Sequence, residues 1–339
     1  MKVAVVILNW NGKDFLAKFL PSVIEFSAGH AQVVVADNAS TDGSVEFLKA
    51  HFPKVQRIVN AENGGFSKGY NDALRQVEAE YYVLLNSDVE VTAGWLEPVI
   101  AMMDADRSIG ACQPKIRSYH ERNKFEYAGA AGGFIDWYGY PFCRGRLFDA
   151  LEEDHGQYND VCEIFWATGA CLFVRAELYH SLGGLDEDFF AHMEEIDFCW
   201  RLKNAGYKVM FCPDATVYHV GGGSLPKSSP RKTYLNFRNN LMLLMKNLPA
   251  SRIGWVLFVR AFLDMFAALN FLRQGRRQDA GAVWTAQVHF IRAWPRGLKK
   301  RRELRQRPLT PLFKGSIVAE HFIRKVAVFS ALKPNKWQW

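Results

Sequence analysis

Several motifs that would decide the class of this chain early are missing. None of its six cysteines (Cys112, Cys143, Cys162, Cys171, Cys199 and Cys212) forms a C-x-x-C pair. That leaves no zinc-ligand or redox spacing and points to reduced, mostly buried thiols in a cytosolic chain. The amino terminus has only six consecutive apolar residues, 3–8, before Asn9. A signal peptide needs a longer apolar region and a small-residue cleavage site, so this run reads as a buried strand. No internal repeat or low-complexity tract is evident. Acidic residues are scarce in the last third: residues 226–339 hold 4 of the 35 Asp/Glu but 23 of the 42 Lys/Arg, a balance of +19 against −12 for residues 1–225. The overall net charge of +7 conceals this split. It predicts a basic appendage that meets an anionic surface, either membrane or nucleic acid.

The 339 residues are 49% hydrophobic and 23% charged, enough for a sizeable core. Through residue 85 the chain alternates strand and helix. Continuous apolar runs at 3–8, 32–36 and 81–85 suit parallel strands covered on both faces, with a shorter strand at 55–60. Helical spacing is predicted over 14–26, interrupted by Pro21, and over 44–51 and 69–77. The fold class expected is α/β, a mostly parallel sheet with helices on both faces. Short strands follow at 172–174 and 208–212. A Ser/Pro/Lys hinge, SLPKSSPRK, places a boundary near residue 225, dividing a domain 1–225 from a basic, amphipathic helical region 226–339.

In open α/β sheets ligands bind beyond the carboxyl ends of the strands. Those ends carry Asn9, Asp37 and Asn86, which line one crevice if the strands are parallel neighbours. Asp37 can accept hydrogen bonds from a base or ribose, although DNASTDGS also reads as a turn and helix cap. Asn63, Gly65 and Phe66 lie in a Gly-rich turn leading into a helix, which is either a place where backbone and helix dipole suit phosphate or a plain loop. Asp88, just past a buried strand, suits a hard divalent cation. Thr168 and Gly169 either face a ligand or mark tight packing. The block LDEDFFAHMEEIDFCWR holds six carboxylates, crowded enough to raise one another's pKa and poise a general base. The imidazole of His219 is a potential metal ligand.

Seven pieces in order, VVILNWNG, DNASTDGS, ENGGFSKGYN, LLNSDVEV, ATGACLFVRAE, LDEDFFAHMEEIDFCWRLKNAGYKV and PDATVYHVGGGS, resemble the family 2 glycosyltransferases of GT-A fold, in particular their bacterial rhamnosyltransferase-like branch. The resemblance covers roughly residues 2–245. It implies a dTDP- or UDP-linked sugar donor, a divalent cation (Mg²⁺ or Mn²⁺) and inverting transfer to a glycan or lipid-linked hydroxyl in surface-polysaccharide synthesis. Asp37 would contact the base, with the turn from Asn9 nearby. Asn63, Gly65 and Phe66 would shape the nucleotide pocket. Asp88 and His219 would hold the metal. Glu195 would be the catalytic base, with Glu194 as its rival. Two positions depart from the family pattern: Asn86 replaces the first acid of the DxD-type motif, for which Glu90 is a candidate substitute, and Glu195 stands where Asp is usual.

Residues 253–272 are apolar enough to suggest a membrane span, but Arg260 and Asp264 oppose it, lying four apart on one helical face as in an interfacial helix. With residues 282–294 they are expected to form a hairpin lying on the membrane. Residues 296–307 add seven basic residues and one acid, which favours an anionic leaflet over the alternative of a solvated helix that stabilises the enzyme domain. The expected location is cytoplasmic, peripheral on the inner face of the cell membrane. No nucleic-acid motif is recognised and no nucleic-acid partner is expected. Two other readings stay open. A nucleotidyltransferase lacks support because LNWNGKDF is not the Gly-rich loop such enzymes carry. A catalytically impaired, membrane-bound nucleotide-sugar-binding relative is the second.

Overall fold

Strand β1 (Val3–Asn9) shows why its apolar run is continuous. Val3, Val5 and Ile7 enter one core, while Ala4 and Val6 enter another on the opposite face. Successive strand residues alternate sides, so a strand covered twice has no polar face. The computed structural model describes residues 1–221, 229–307 and 310–338. In it β2 (Gln32–Asp37), β3 (Gln56–Val59) and β4 (Tyr81–Asn86) join β1 in the parallel order β4-β1-β2-β3. Then follow β5 (Val89–Val91), β6 (Ile109–Ser118), a small antiparallel sheet of β7 (Gly133–Ile135), β8 (Pro141–Cys143), β9 (Arg146–Leu147) and β10 (Ala150–Leu151), and finally β11 (Cys162–Ile164), β12 (Cys171–Arg175) and β13 (Lys208–His219). β12 runs antiparallel to β4 and β6, and β13 lies parallel to β6. The large sheet is therefore mixed, with the expected parallel order confined to β4-β1-β2-β3 and the β6–β13 pair.

Helices cover both faces. α1 (Lys13–Ser27) and α4 (Glu97–Ala105) bury Leu16, Leu20, Val99 and Met103 in one core. α3 (Gly65–Leu74) and α6 (Glu194–Ala205) bury Tyr70, Leu74, Phe198 and Trp200 in the other. α2 (Ser44–His51) and α5 (Ala176–Ser181) complete this part. Pro21 does not interrupt α1. It removes one backbone hydrogen bond, but Leu16, Phe19, Leu20 and Val23 on either side are buried and hold the helix together. β13 continues past the expected end at Cys212. A register shift between Cys212 and Thr216 absorbs Pro213 as a bulge, and the strand runs on to His219. All six cysteines are free thiols, five of them buried.

The boundary expected near residue 225 lies outside the described residues. Beyond it, α7 (Pro230–Asn247), α8 (Ala250–Arg273) and α9 (Arg277–Arg302) pack together. The chain then returns to the small sheet through β14 (Leu312–Phe313) and β15 (Trp337–Gln338), where Phe313, Phe329 and Trp337 join Phe134 and Phe142 in one aromatic cluster. Arg260 and Asp264 are buried on the inner face of α8. Arg260 Nη2 is 3.2 Å from Asp264 Oδ1, Gln287 Nε2 donates to Asp264 Oδ2 at 2.8 Å, and the guanidinium lies 3.9 Å from the Tyr140 ring. The outer face is apolar and exposed: Trp255 60%, Phe258 56%, Phe262 55% and Phe266 66%. By length and composition α8 is sufficient to cross a membrane.

Part of the basic excess is neutralised within the chain. Lys246 lies 2.7 Å from Asp186 and 2.8 Å from Asp197. Lys300 pairs with Asp186 and, at 2.6 Å, with Asp188, which also pairs with Arg296. The acidic block that precedes α6 is thus clasped by the C-terminal helices.

Candidate active site

Register brings the strand ends together. Asn9 lies beside Asp37, and Leu8 beside Asn86, so all three polar residues reach one edge of the sheet. Asn9 Nδ2 donates to Asp37 Oδ2 at 2.9 Å and to Ser40 Oγ at 3.2 Å. Asp37 Oδ1 accepts from the Ser40 amide at 2.8 Å. Asn9 and Asp37 are both buried, and Asn9 Oδ1 has no partner among the described residues. A Cβ at Gly12 would sit 2.6 Å from that oxygen.

The Gly-rich turn is shaped by the acidic loop opposite. Gly65 has φ +83, and a Cβ there would lie 2.5 Å from Phe190 O. The Phe66 amide donates to that same carbonyl at 2.7 Å, with the Ser67 amide at 3.5 Å. The first donors of α3 are therefore taken by protein, and the phosphate-binding helix terminus expected from the sequence is capped instead. Asn63 Oδ1 accepts from the Gly65 amide at 3.0 Å and from Asn38 Nδ2 at 2.9 Å. Across the crevice, a Cβ at Gly169 would meet Phe66 Cζ at 3.0 Å and Glu195 Cβ at 3.9 Å. Glycine is the residue that leaves this gap open. The amide of Thr168 donates to Gln113 Oε1 at 2.9 Å, and its hydroxyl accepts from Ala170 N at 3.2 Å. Of the two readings for this pair, tight packing describes Thr168.

Asp88 and His219 meet at the end of β13. His219 Nε2 is 3.2 Å from Asp88 Oδ1 and 3.5 Å from Asn86 Nδ2. Its Nδ1 is 3.1 Å from Glu126 Oε2, but out of line for a hydrogen bond, so that contact is electrostatic. Burial pushes the imidazole pKa down, yet the Glu126 and Asp88 carboxylates overcome it and raise His219 to about 10. In return the His219 charge, against the cost of burial, holds both carboxyls below their usual values. Among the described residues no group of three His, Cys, Asp or Glu side chains has the disposition of a metal cage. A cation would have to displace the Nε2 proton that these carboxylates retain; the donor set then suits a cation shared with a ligand, since one carboxylate oxygen and one imidazole nitrogen face each other and a carboxylate backs the second ring nitrogen. Glu90 does not substitute for the missing acid, because Arg122 takes both its oxygens at 2.7 and 2.9 Å.

Glu194 and Glu195 open α6, and neither Oε2 has a hydrogen-bond partner among the described residues. Burial, reinforced by the Glu195 charge, holds Glu194 well above the usual carboxylate range. Burial pushes Glu195 to about 7, against backbone amides at the helix start that favour its ionised form. The stem of Glu195 is half-buried and its Oε2 is shut off from solvent. A carboxyl poised near neutrality, on a side chain whose Cβ borders the Gly169 gap, is equipped to take a proton.

Residues 4–179, just over half of the chain, match the sequence profile of Glycosyl transferase family 2. The chain belongs to this family. It is 25% identical over 230 residues to the N-acetylglucosaminyl-diphospho-decaprenol L-rhamnosyltransferase of Mycobacterium tuberculosis, covering 63% of this chain and 75% of that one. A dTDP-rhamnosyl transferase of Shigella flexneri is 24% identical over 261 residues, 72% of this chain and 80% of the relative. In fold the chain is similar to S. aureus TarS 1-349 in complex with UDP-GlcNAc (TM-score 0.57, 19% identity, 88% of this chain and 84% of that). It is also similar to the Pyrobaculum calidifontis mannosyltransferase solved with GDP-Man and Mn²⁺ (0.54, 16%, 86% and 87%). The family 2 domain has the GT-A fold, with a helical C-terminal region added to it.

Four polar residues of this glycosyltransferase crevice went unread in the sequence. Asn60 Nδ2 donates to Asn38 Oδ1 and to Gly69 O, both at 3.1 Å, which ties the end of β3 to the Gly-rich turn. Asn60 follows a parallel strand, so the rule that pointed to Asn9 and Asp37 also points to it. Asn38 stands next to Asp37. Gln113, inside β6, and Glu126 lie far in sequence from the residues they support, and no local signal marks them.

Proposed function

We propose that this family 2 glycosyltransferase is an inverting, divalent-cation-dependent enzyme of surface-polysaccharide synthesis. Its donor is a dTDP- or UDP-linked hexose, with rhamnose favoured by the relatives' printed activities. The observation that carries the reading is Glu195 at the start of α6: burial raises its carboxyl to about 7, and its Cβ lies 3.9 Å from where a Cβ at Gly169 would stand, beside Phe66. Asn9, Asp37, Asn63, Gly65 and Phe66 form the nucleotide side of the crevice. Asn86 and Gly169 form its floor, with Thr168 packed against Gln113 beside them. Asp88 and His219 would hold Mg²⁺ or Mn²⁺, which when bound supplies positive charge to the leaving diphosphate. Glu195 takes the proton from the acceptor hydroxyl as that oxygen attacks the anomeric carbon from the face opposite the diphosphate. Burial and the neighbouring Glu195 charge hold the Glu194 carboxyl well above the usual carboxylate range. One displacement inverts the anomeric configuration.

Residues 1–225 form the catalytic domain and 226–339 its helical extension. The acceptor is a glycan or lipid-linked hydroxyl. The enzyme works peripherally on the inner face of the cell membrane. What supports this last point is the row of exposed Trp255, Phe258, Phe262 and Phe266 on α8, with Trp284 and Ile291 on α9, near the basic Arg273, Arg276 and Arg277. The buried Arg260–Asp264 pair favours a helix lying on the bilayer over one crossing it. Proton NMR of the product formed from an α- or β-linked donor tests the mechanism. An anomeric configuration opposite to that of the donor supports it, and retention contradicts it.

A further inference from the structure

The acidic loop that delivers Glu194 and Glu195 has an unusual backbone. Phe190, His192 and Met193 all have positive φ, at 63°, 69° and 75°. Side-chain-bearing residues rarely adopt this region, and three of them within four positions require outside support. Their carbonyls reveal that support. Phe190 O is taken by the Phe66 amide of the Gly-rich turn. The carbonyls of Phe189, Ala191 and His192 all converge on one group, Nδ2 of Asn239 in α7, at 2.9, 2.8 and 2.7 Å. Asn239 is fully buried. Its Oδ1 accepts from Arg238 Nε at 2.8 Å, and Arg238 Nη2 also donates to Asp188 O at 2.8 Å.

We propose that Asn239, supported by Arg238, is a positioning residue: its carboxamide holds the turn at residues 189–193 in the conformation that aims Glu195 at the acceptor. This rests on the reading of Glu195 as the base. Asn239 lies outside the residues matched by the family profile, within the C-terminal helices. Those helices are then part of the catalytic unit as well as a membrane contact. On the donor side Asn9 and Asp37 stand on other elements, the ends of β1 and β2, and the Gly-rich turn meets residues 189–193 through Phe190 O, which is not among the carbonyls that Asn239 holds, so loss of Asn239 acts on turnover more than on donor binding.

The test uses the full chain carrying Asn239→Asp, which keeps the shape and removes both donor hydrogens, and Arg238→Gln as a milder companion. Both are assayed on whichever dTDP-, UDP- or GDP-sugar the native enzyme turns over fastest. For N239D the expected result is a kcat lower by about 100-fold, the cost of misplacing a reacting group by ~1 Å. Donor KM and calorimetric binding of UDP or dTDP should stay within about twofold, and the midpoint of the kcat–pH profile should move. R238Q should shift the same quantities less. The double variant E195Q/N239D should be no slower than E195Q alone, because both changes act through one carboxylate. Unchanged kcat in N239D, a loss appearing equally in nucleotide binding, or a further 100-fold loss in the double variant would overturn the proposal. Full activity in E195Q alone would instead remove Glu195 as the base and leave the proposal without its target.

Discussion

Replacing Glu195 by Gln removes one ionisable proton and almost no volume. The wild-type carboxyl sits at about 7 in the folded chain against an ordinary value of 4.5. Between those two pH values the folded state binds more protons than the unfolded one, so stability falls as pH rises through that window and is level above it. The gap corresponds to about 3 kcal/mol. Glutamine never ionises, so E195Q should be more stable than wild type by up to that amount at pH 8 and equal to it near pH 4. With an unfolding entropy of ~2.1 cal/mol/K per residue, this is a melting-temperature gain of ~4 °C for a chain of this length. Transfer should fall by at least a thousandfold at the same time. Thermal melts at pH 5 and pH 8, paired with nucleoside diphosphate release, read both effects. A variant that is inactive but no more stable at pH 8 would refute the claim that burial sets this carboxyl.

Other consequences follow from the same contacts. Glu126→Gln removes the carboxylate behind His219 Nδ1 and should raise the Mn²⁺ concentration needed for half-activation by 10- to 100-fold; an unchanged metal titration would contradict that role. Lys246→Met removes the cation shared by the buried Asp186 and Asp197, but Lys300 and Arg201 still face them, so it should cost less than the roughly 3–5 kcal/mol of an uncompensated buried charge at pH 7 in denaturant titrations. Lys246 and its basic neighbours hold both carboxyls below their usual values against the cost of burial. Their contribution is therefore present at neutral pH and lost as pH falls below about 4, so the variant's penalty should shrink there. Phe262→Glu with Phe266→Glu should abolish flotation with anionic phosphatidylglycerol vesicles while leaving donor hydrolysis intact; undiminished flotation would count against the α8 face.

The strands were legible because burial on both sides writes a continuous apolar run, as in β1, β2 and β4, and their polar ends announced Asn9, Asp37 and Asn86. Local signals misled where tertiary packing outweighed them. Pro21 lies inside α1 because the core holds both its flanks, and Pro213 becomes a bulge in β13 rather than its end. The basic tail read as a surface awaiting an anionic partner. Part of it, Lys246, Arg296 and Lys300, meets Asp186, Asp188 and Asp197 of the same chain, a pairing that nothing short of the fold reveals. The site shows the same limit. Glu194 and Glu195 stood out as a carboxylate pair, but the reason they differ lies in burial, and Glu126, Gln113 and Asn239 support residues distant in sequence.

The central claim is metal-assisted sugar transfer by Glu195 from a nucleotide-linked donor. The direct measurement is release of nucleoside diphosphate from a panel of dTDP-, UDP- and GDP-sugars, with Mg²⁺, Mn²⁺ or chelator, with and without a membrane-lipid extract, for wild type and E195Q side by side. Release from one donor that requires the cation, increases with the lipid extract and vanishes in E195Q is the predicted result. Release that is indifferent to chelator and survives in E195Q, or no release from any donor even with lipid acceptor present, would contradict it.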